Sequence, residues 1–239
     1  MVNIDNVYQK VLALSNKEQR GYITPQEFNL MANKAQLEIY DSYFHDLKTA
    51  YHKQKTDMSH GDEIDMLSEK LHPFKVTSTF SLSAGDSQIT LSNSVYMINS
   101  LTKTVTGLSS GPIKVTEMDD KDILYTENNP LTKATSLRPV YVRDGMASNL
   151  LTIYPTATTT ELYSLNFYKI PSDPKWAYVV VKEKALYNKT YSTDFELHKS
   201  EEEMLVSRIL QLAGIVIMKP GIVEIGAAEK ASMKAEQNN

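Results

Sequence analysis

The spacing of hydrophobic positions changes period twice along this chain. From Ile4 to Leu14 the apolar residues fall at Ile4, Val7, Tyr8, Val11 and Leu12, which is one face of a helix. A loop over Ser15 to Ile23 separates it from a second helix that opens at Thr24-Pro25-Gln26-Glu27. Thr24 can accept from an orphan N–H, Pro25 suits the first helical position, and Glu27 can reach back to complete a capping box. The pattern predicts a helix of about 30 residues, roughly 45 Å long at 1.5 Å per residue. Two apolar rows run along it. One is Phe28, Ala32, Ala35, Ile39 and Tyr43; the other is Leu30, Leu37, Tyr40, Phe44, Leu47 and Tyr51. A surface helix needs only one such stripe, so the second row predicts a second partner, a neighbouring subunit. The polar run Lys53 to Ser68, with Gly61 inside it, predicts the end of that helix and an exposed loop with a short turn near Ile64 to Leu67.

From Phe74 to about Ile170 the period falls to two. Val76, Ser78, Phe80 and Leu82 alternate. Gln88–Leu91, Tyr96–Leu101, Ile113–Thr116, Val140–Val142, Leu150–Tyr154 and Glu161–Tyr168 are further strand candidates. Turn residues separate them at Ala84-Gly85-Asp86, Ser109-Ser110-Gly111-Pro112, Asp144-Gly145 and Tyr154-Pro155, and Thr116 to Asp120 opens one short helix that ends near Asn128-Asn129-Pro130. Beyond Pro171, Ala177 to Lys182 reads as a strand. Ser200-Glu201-Glu202-Glu203 reads as a capping box, and Met204, Leu205, Ile209, Leu212, Ala213, Val216 and Ile217 form the apolar face of a helix stopped at Lys219-Pro220-Gly221. A polar tail runs from Ala227 to Asn239. The expected fold is α+β: a helical bundle of two N-terminal helices and one C-terminal helix, with an inserted antiparallel β-sandwich or barrel. The expected boundaries are 1–72, 73–170 and 171–239.

Composition narrows the function. With 41% hydrophobic and 23% charged residues among 239, the chain has the means to bury a core. Tyrosine is over-represented, 14 against 6 Phe and a single Trp. That excess suits protein interfaces or reflects compositional bias of the lineage. With no cysteine, disulfides, thiolate metal sites and cysteine nucleophiles are excluded. No stretch approaches the length of a membrane span, and Met1 to Lys10 lacks the apolar core of a signal peptide. The net charge of −4, with no basic block, argues against an electrostatic nucleic-acid clamp.

Candidate chemistry is sparse. Glu117, Asp119, Asp120 and Asp122 lack the oxygen spacing of a calcium loop and read as acids at a helix N-terminus. His52, His60, Asp62 and Glu63 match no zinc spacing. Gly85 and Ser109-Ser110-Gly111 are not phosphate loops, and no nucleophile elbow is present. No enzyme, cofactor or metal is expected. Trp176, in Pro171-Ser172-Asp173-Pro174-Lys175-Trp176, reads either as a rigid binding anchor or as a linker residue tucked against the sheet.

Four segments carry a resemblance. Asn16 to Asn29 (NKEQRGYITPQEFN), followed by Gln36-Leu37-Glu38-Ile39, is one. The others are Asn128 to Lys133 with Pro139-Val140-Tyr141, the run Tyr168 to Trp176 (YKIPSDPKW), and Asp194 to Glu202 leading into Ile209-Leu210 and Leu212-Ala213-Gly214. In this order they resemble virion structural proteins of short-tailed bacteriophages, in particular neck and ring proteins of the crAss-like group. The resemblance implies a head–tail connector subunit in a homo-oligomeric ring of twelve copies. It further implies contacts with the portal protein and other neck or tail rings, and passage of DNA without specific binding. The location would be the virion neck or tail, after assembly from the host cytoplasm, with no membrane contact. The expected interface residues are Tyr22, Phe28, Tyr40, Tyr43, Phe44 and Trp176. The rival expectation is a tail-associated module that docks a fibre or binds carbohydrate; it predicts exposed aromatics on β loops, whereas the ring predicts them on helices.

Overall fold

In the computed structural model, residues 1–16, 23–54, 61–104, 111–143, 149–182, 184–216 and 231 are described. The elements begin with α1 (Ile4–Asn16), α2 (Pro25–Gln54) and α3 (Gly61–Leu71). Four strands follow: β1 (Lys75–Leu82), β2 (Gln88–Thr90), β3 (Val95–Thr104) and β4 (Ile113–Glu117). Then come α4 (Asp120–Asn128), β5 (Val140–Arg143), β6 (Leu150–Tyr154) and β7 (Glu161–Lys169). The hairpin strands β8 (Tyr178–Val181) and β9 (Lys184–Tyr187) precede α5 (Glu202–Val216). The fold is α+β, and the chain divides into a helical unit, Met1–Pro73 with Pro171–Asn239, and a β unit, Phe74–Ile170.

In the helical unit, Asn3 caps α1, its Oδ1 accepting from the N–H groups of Asp5 (3.0 Å) and Asn6 (3.1 Å). The α1 face Ile4, Val7, Tyr8 and Val11 is buried, as its spacing requires. The α2 capping box is formed: the Thr24 N–H donates to Glu27 Oε2 (2.9 Å) and the Glu27 N–H to Thr24 Oγ1 (3.3 Å). The Thr24 N–H, together with the Thr24 hydroxyl that donates to the same oxygen (2.7 Å), holds the Glu27 carboxyl below the usual carboxylate range. The 30 residues of α2 pack against both α5 and α3.

Two expectations for this unit change, and the strand expected over Ala177 to Lys182 is present as β8. The segment expected to be a loop with a turn is the 11-residue helix α3, which buries Ile64, Leu67 and Leu71 at i, i+3 and i+7. The capping box at Ser200 is replaced by a short 3₁₀ turn, Lys199–Glu201, in which His198 Nδ1 accepts from the Ser200 N–H. Glu203 instead pairs with Lys10 across to α1. The strand at Tyr178 is one arm of a hairpin with β9, registered Tyr178↔Tyr187. The chain ends of the unit are stitched together: Val2 bridges Phe195, and the Ile4 N–H donates to Asp194 Oδ1 at 2.9 Å.

The β unit is a seven-stranded sheet in the order β1-β7-β3-β4-β5-β6-β2, with β1 and β2 near enough to make it almost a closed barrel. All pairs are antiparallel except β4 and β5, so the sheet is mixed rather than purely antiparallel. Strand alternation sends Leu82, Leu101, Val115, Leu151, Ile153, Leu165 and Phe167 inward to one core. Gly85 sits in the β1–β2 turn at φ +94°, a conformation that favours glycine. Ile123 of α4 covers a smaller core with Ala134, Val140 and Val142. Two charged residues also point inward: Lys103 Nζ meets Glu161 Oε1 at 2.6 Å, and Glu161 Oε2 accepts from the Tyr163 hydroxyl at 2.6 Å.

Candidate interaction surfaces

Of the six residues expected to form a subunit interface, the five that are described do not share one surface. Tyr22 lies outside the described residues. Phe28, Tyr40, Tyr43 and Trp176 are buried within their own chain, none more than 3% exposed, and so offer no area to a neighbour. The physical reason lies in the packing of α2. It has two partners of its own, α5 and α3, and its buried sector is wide enough to take Gln36 and Tyr40 as well as the Phe28 row. Phe44, half-buried and edge-on to Tyr40 with ring centroids 5.1 Å apart, remains at the boundary of that sector.

Trp176 is a core residue of the helical unit. Its ring packs on Tyr8 (4.3 Å between centroids), Tyr178 (5.8 Å) and Tyr187 (5.7 Å), and Tyr8 in turn packs on Phe28 (4.7 Å). Its indole N–H donates to Asp5 Oδ1 at 2.9 Å. Asn29 brackets its backbone, accepting from the Trp176 N–H (2.8 Å) and donating to its carbonyl (3.2 Å). The side chain therefore joins α1, α2 and the β8–β9 hairpin, which neither sequence reading of this tryptophan foresaw. Gln36 does the same for the returning segment, donating to the Ser172 carbonyl (2.8 Å) and accepting from the Glu196 N–H (3.1 Å).

Among the described residues, exposed apolar side chains include three groups. On α2, Leu30 is 75% exposed and Tyr51 is exposed, with Leu37 and Phe44 half-buried between them at the same seven-residue spacing. On the β8–β9 hairpin, Val179, Val180, Val181 and Leu186 are exposed. In the β unit, Leu124 and Tyr125 of α4 and Leu131 and Leu137 beyond it are exposed, Tyr125 by 80%. Sequence reasoning missed the last two surfaces, because an exposed apolar residue and a buried one look alike without a partner.

No described group of three or more His, Asp and Glu side chains could hold a metal ion. His60 lies outside the described residues, and Glu63 pairs with Lys53 at 3.7 Å. Asp119 is the N-cap residue of α4 without a side-chain cap bond, and Glu117 accepts from the Tyr141 hydroxyl at 3.2 Å. Burial first, then the Glu117 carboxylate, pushes the Tyr141 phenol up; burial and Glu161 do the same to Tyr163, and burial and Glu201 to Tyr43. No described helix is long and apolar enough to cross a membrane. No protein-family model matches the chain, and no curated protein matches it.

Proposed function

We propose that this chain is a ring-forming virion structural protein, a head–tail connector subunit that links the portal to the tail and surrounds part of the DNA channel. The observation that carries the reading is the outer row of α2, Leu30, Leu37, Phe44 and Tyr51. It stays partly or fully exposed although α2 packs against both α3 and α5. A seven-residue repeat keeps such a row on one side of a long helix. An apolar strip of that length on a protein surface marks a contact with another chain. In a ring the contact is heterologous, the row of one copy meeting a different surface of the next. The resemblance of four ordered segments to phage neck proteins supplies the biological setting, including the twelve-copy ring and the portal as a partner. The reading assigns the chain no catalysis and no cofactor, and its net charge of −4 suits a conduit that does not hold its DNA.

One observation favours the second reading, a tail-associated binding module. The exposed Tyr125, on α4, and its apolar neighbours lie in the β unit, the part of the chain to which that reading assigns binding. Native mass measurement separates the two. The ring reading expects a closed oligomer of about twelve copies, alone or templated on portal particles. Leu30→Asp with Tyr51→Asp should abolish it while far-UV circular dichroism stays unchanged, because both side chains are exposed. A monomer both alone and with portal particles would refute the ring.

A further inference from the structure

The one parallel strand pair in the sheet creates a second kind of surface. β4 and β5 pair with Thr116 opposite Val140 and Glu117 opposite Tyr141, so the chain must cross over between them, through α4 and the segment that follows. That segment folds back on itself: Thr135 and Arg138 exchange backbone hydrogen bonds (3.3 and 2.9 Å), and the Lys133 N–H donates to the Asn129 carbonyl at 2.9 Å. Between the segment and the strands lies an open cavity of about 250 Å³. Its lining is Lys114 and Thr116 from β4, Thr132, Lys133, Leu137 and Arg138 from the crossover, and Pro139 and Val140 at the start of β5.

The lining is chemically one-sided. It holds three cationic side chains and two hydroxyls but no carboxylate, in a chain whose net charge is −4. Lys133 has a carboxylate neighbour, Glu127 at 3.8 Å. Lys114 and Arg138 have no ion-pair partner among the described residues. Lys114 and Thr116, two apart on a strand, project to the same face. Grouped like charges repel, and a bound anion relieves that repulsion. A guanidinium fork and ammonium groups, with the Thr116 hydroxyl beside them, suit an oxyanion with several oxygens; the Thr132 hydroxyl already donates to the Thr126 carbonyl at 3.3 Å. The rest of the lining, Leu137, Pro139 and Val140, is apolar, and the cavity exceeds the volume of a phosphate ion. It therefore has room for the organic part of an ester.

We propose that this cavity binds the phosphate group of an organic phosphate ester, with Lys114, Lys133 and Arg138 as the anion contacts. The inference does not rest on ring assembly. The phosphate can come from a free nucleotide or from the backbone of a nucleic-acid strand, and the experiment distinguishes them. Isothermal titration of the full chain at low salt uses inorganic phosphate, adenosine monophosphate, adenosine and a short single-stranded DNA as probes. Saturable binding is expected for the monophosphate and, more weakly, for inorganic phosphate, but not for adenosine. Lys114→Ala with Arg138→Ala should weaken it about ten-fold or more through loss of two charge-assisted contacts. Lys75→Ala with Lys121→Ala, exposed lysines outside the lining, should leave it unchanged. DNA that competes with the monophosphate and binds more tightly identifies a strand as the source; DNA that does not compete identifies a free ester. Binding of adenosine equal to that of its phosphate, persistence in the Lys114/Arg138 variant with circular dichroism unchanged, or no saturable binding by any probe would overturn the proposal.

Discussion

Replacing Lys103 in the interior of the β unit should reveal how that core tolerates charge. Lys103 of β3 stands opposite Tyr163 of β7 in the register, on the inward-facing side, and is 3% exposed. Its ammonium donates to Glu161 Oε1 at 2.6 Å and to Ser136 Oγ at 3.2 Å. Lys103→Met keeps the volume but strands the Glu161 carboxylate among apolar side chains. Breaking a buried pair from one side costs about 3–5 kcal/mol. The matching Glu161→Leu change strands the ammonium and should cost a similar amount. Combining the two removes both charges and leaves only the Tyr163 hydroxyl without its acceptor, a loss of about 1–3 kcal/mol. Replacing a buried pair with apolar residues is itself neutral or stabilising. The double variant should therefore unfold within about 2 kcal/mol of the parent, and adding Tyr163→Phe should close that gap. Urea titrations followed by far-UV circular dichroism give the four corners of the cycle. A single Lys103→Met variant within about 1 kcal/mol of the parent would refute the reasoning, since it would mean the carboxylate is already solvated. A double variant as unstable as the sum of the singles would refute it equally, because uncoupled sites add.

Further outcomes follow from the same structure. Asp5→Ala should cost about 1–2 kcal/mol by removing the acceptor of the Trp176 indole N–H. It should also shift the emission of this single tryptophan, which reads the change directly. Thr24→Ala should cost about 1 kcal/mol, measured by chemical denaturation, because α2 loses its N-cap. Tyr43, Tyr141 and Tyr163 have phenols raised from 10.0 in the folded state, by burial first and neighbouring carboxylates next. Unfolding stability should therefore be insensitive to these groups below pH 10 and fall as pH rises above it, since the unfolded chain ionises first. Tyr163→Phe should flatten part of that alkaline loss in urea titrations.

Local signals carried the sequence reading wherever a local cause decides the structure. Thr24, Pro25 and Glu27 fix where α2 starts, and alternation places β1, β6 and β7 close to their observed limits. α3 has the spacing of a buried helix face in Ile64, Leu67 and Leu71, but the polar run around it hid the pattern. Without that helix α2 lacks one of its two partners, and its buried sector reads as narrower than it is. The direction of β5 was not legible, because a parallel pairing is decided by the crossover through α4 rather than by strand composition. Lys103 and Glu161 lie 58 positions apart, and nothing in either strand's pattern announces that they meet inside. Trp176 was ambiguous for the same reason, since its partners Tyr8, Asp5 and Asn29 belong to the other end of the chain.

The stitching of Val2 to Phe195 and of Ile4 to Asp194 also sets a timetable for synthesis. The β unit is continuous, so it can close as soon as its last strand leaves the ribosome. The helical unit cannot, because its first three helices emerge before the β unit and its last one after it. At about 5–20 residues per second, the apolar face of α2 waits on the order of ten seconds for the strand and helix that complete its core. For that interval the nascent chain carries three helices without their C-terminal partner and a finished β unit. Slower translation therefore lengthens the exposure of the α2 apolar face, not that of the sheet.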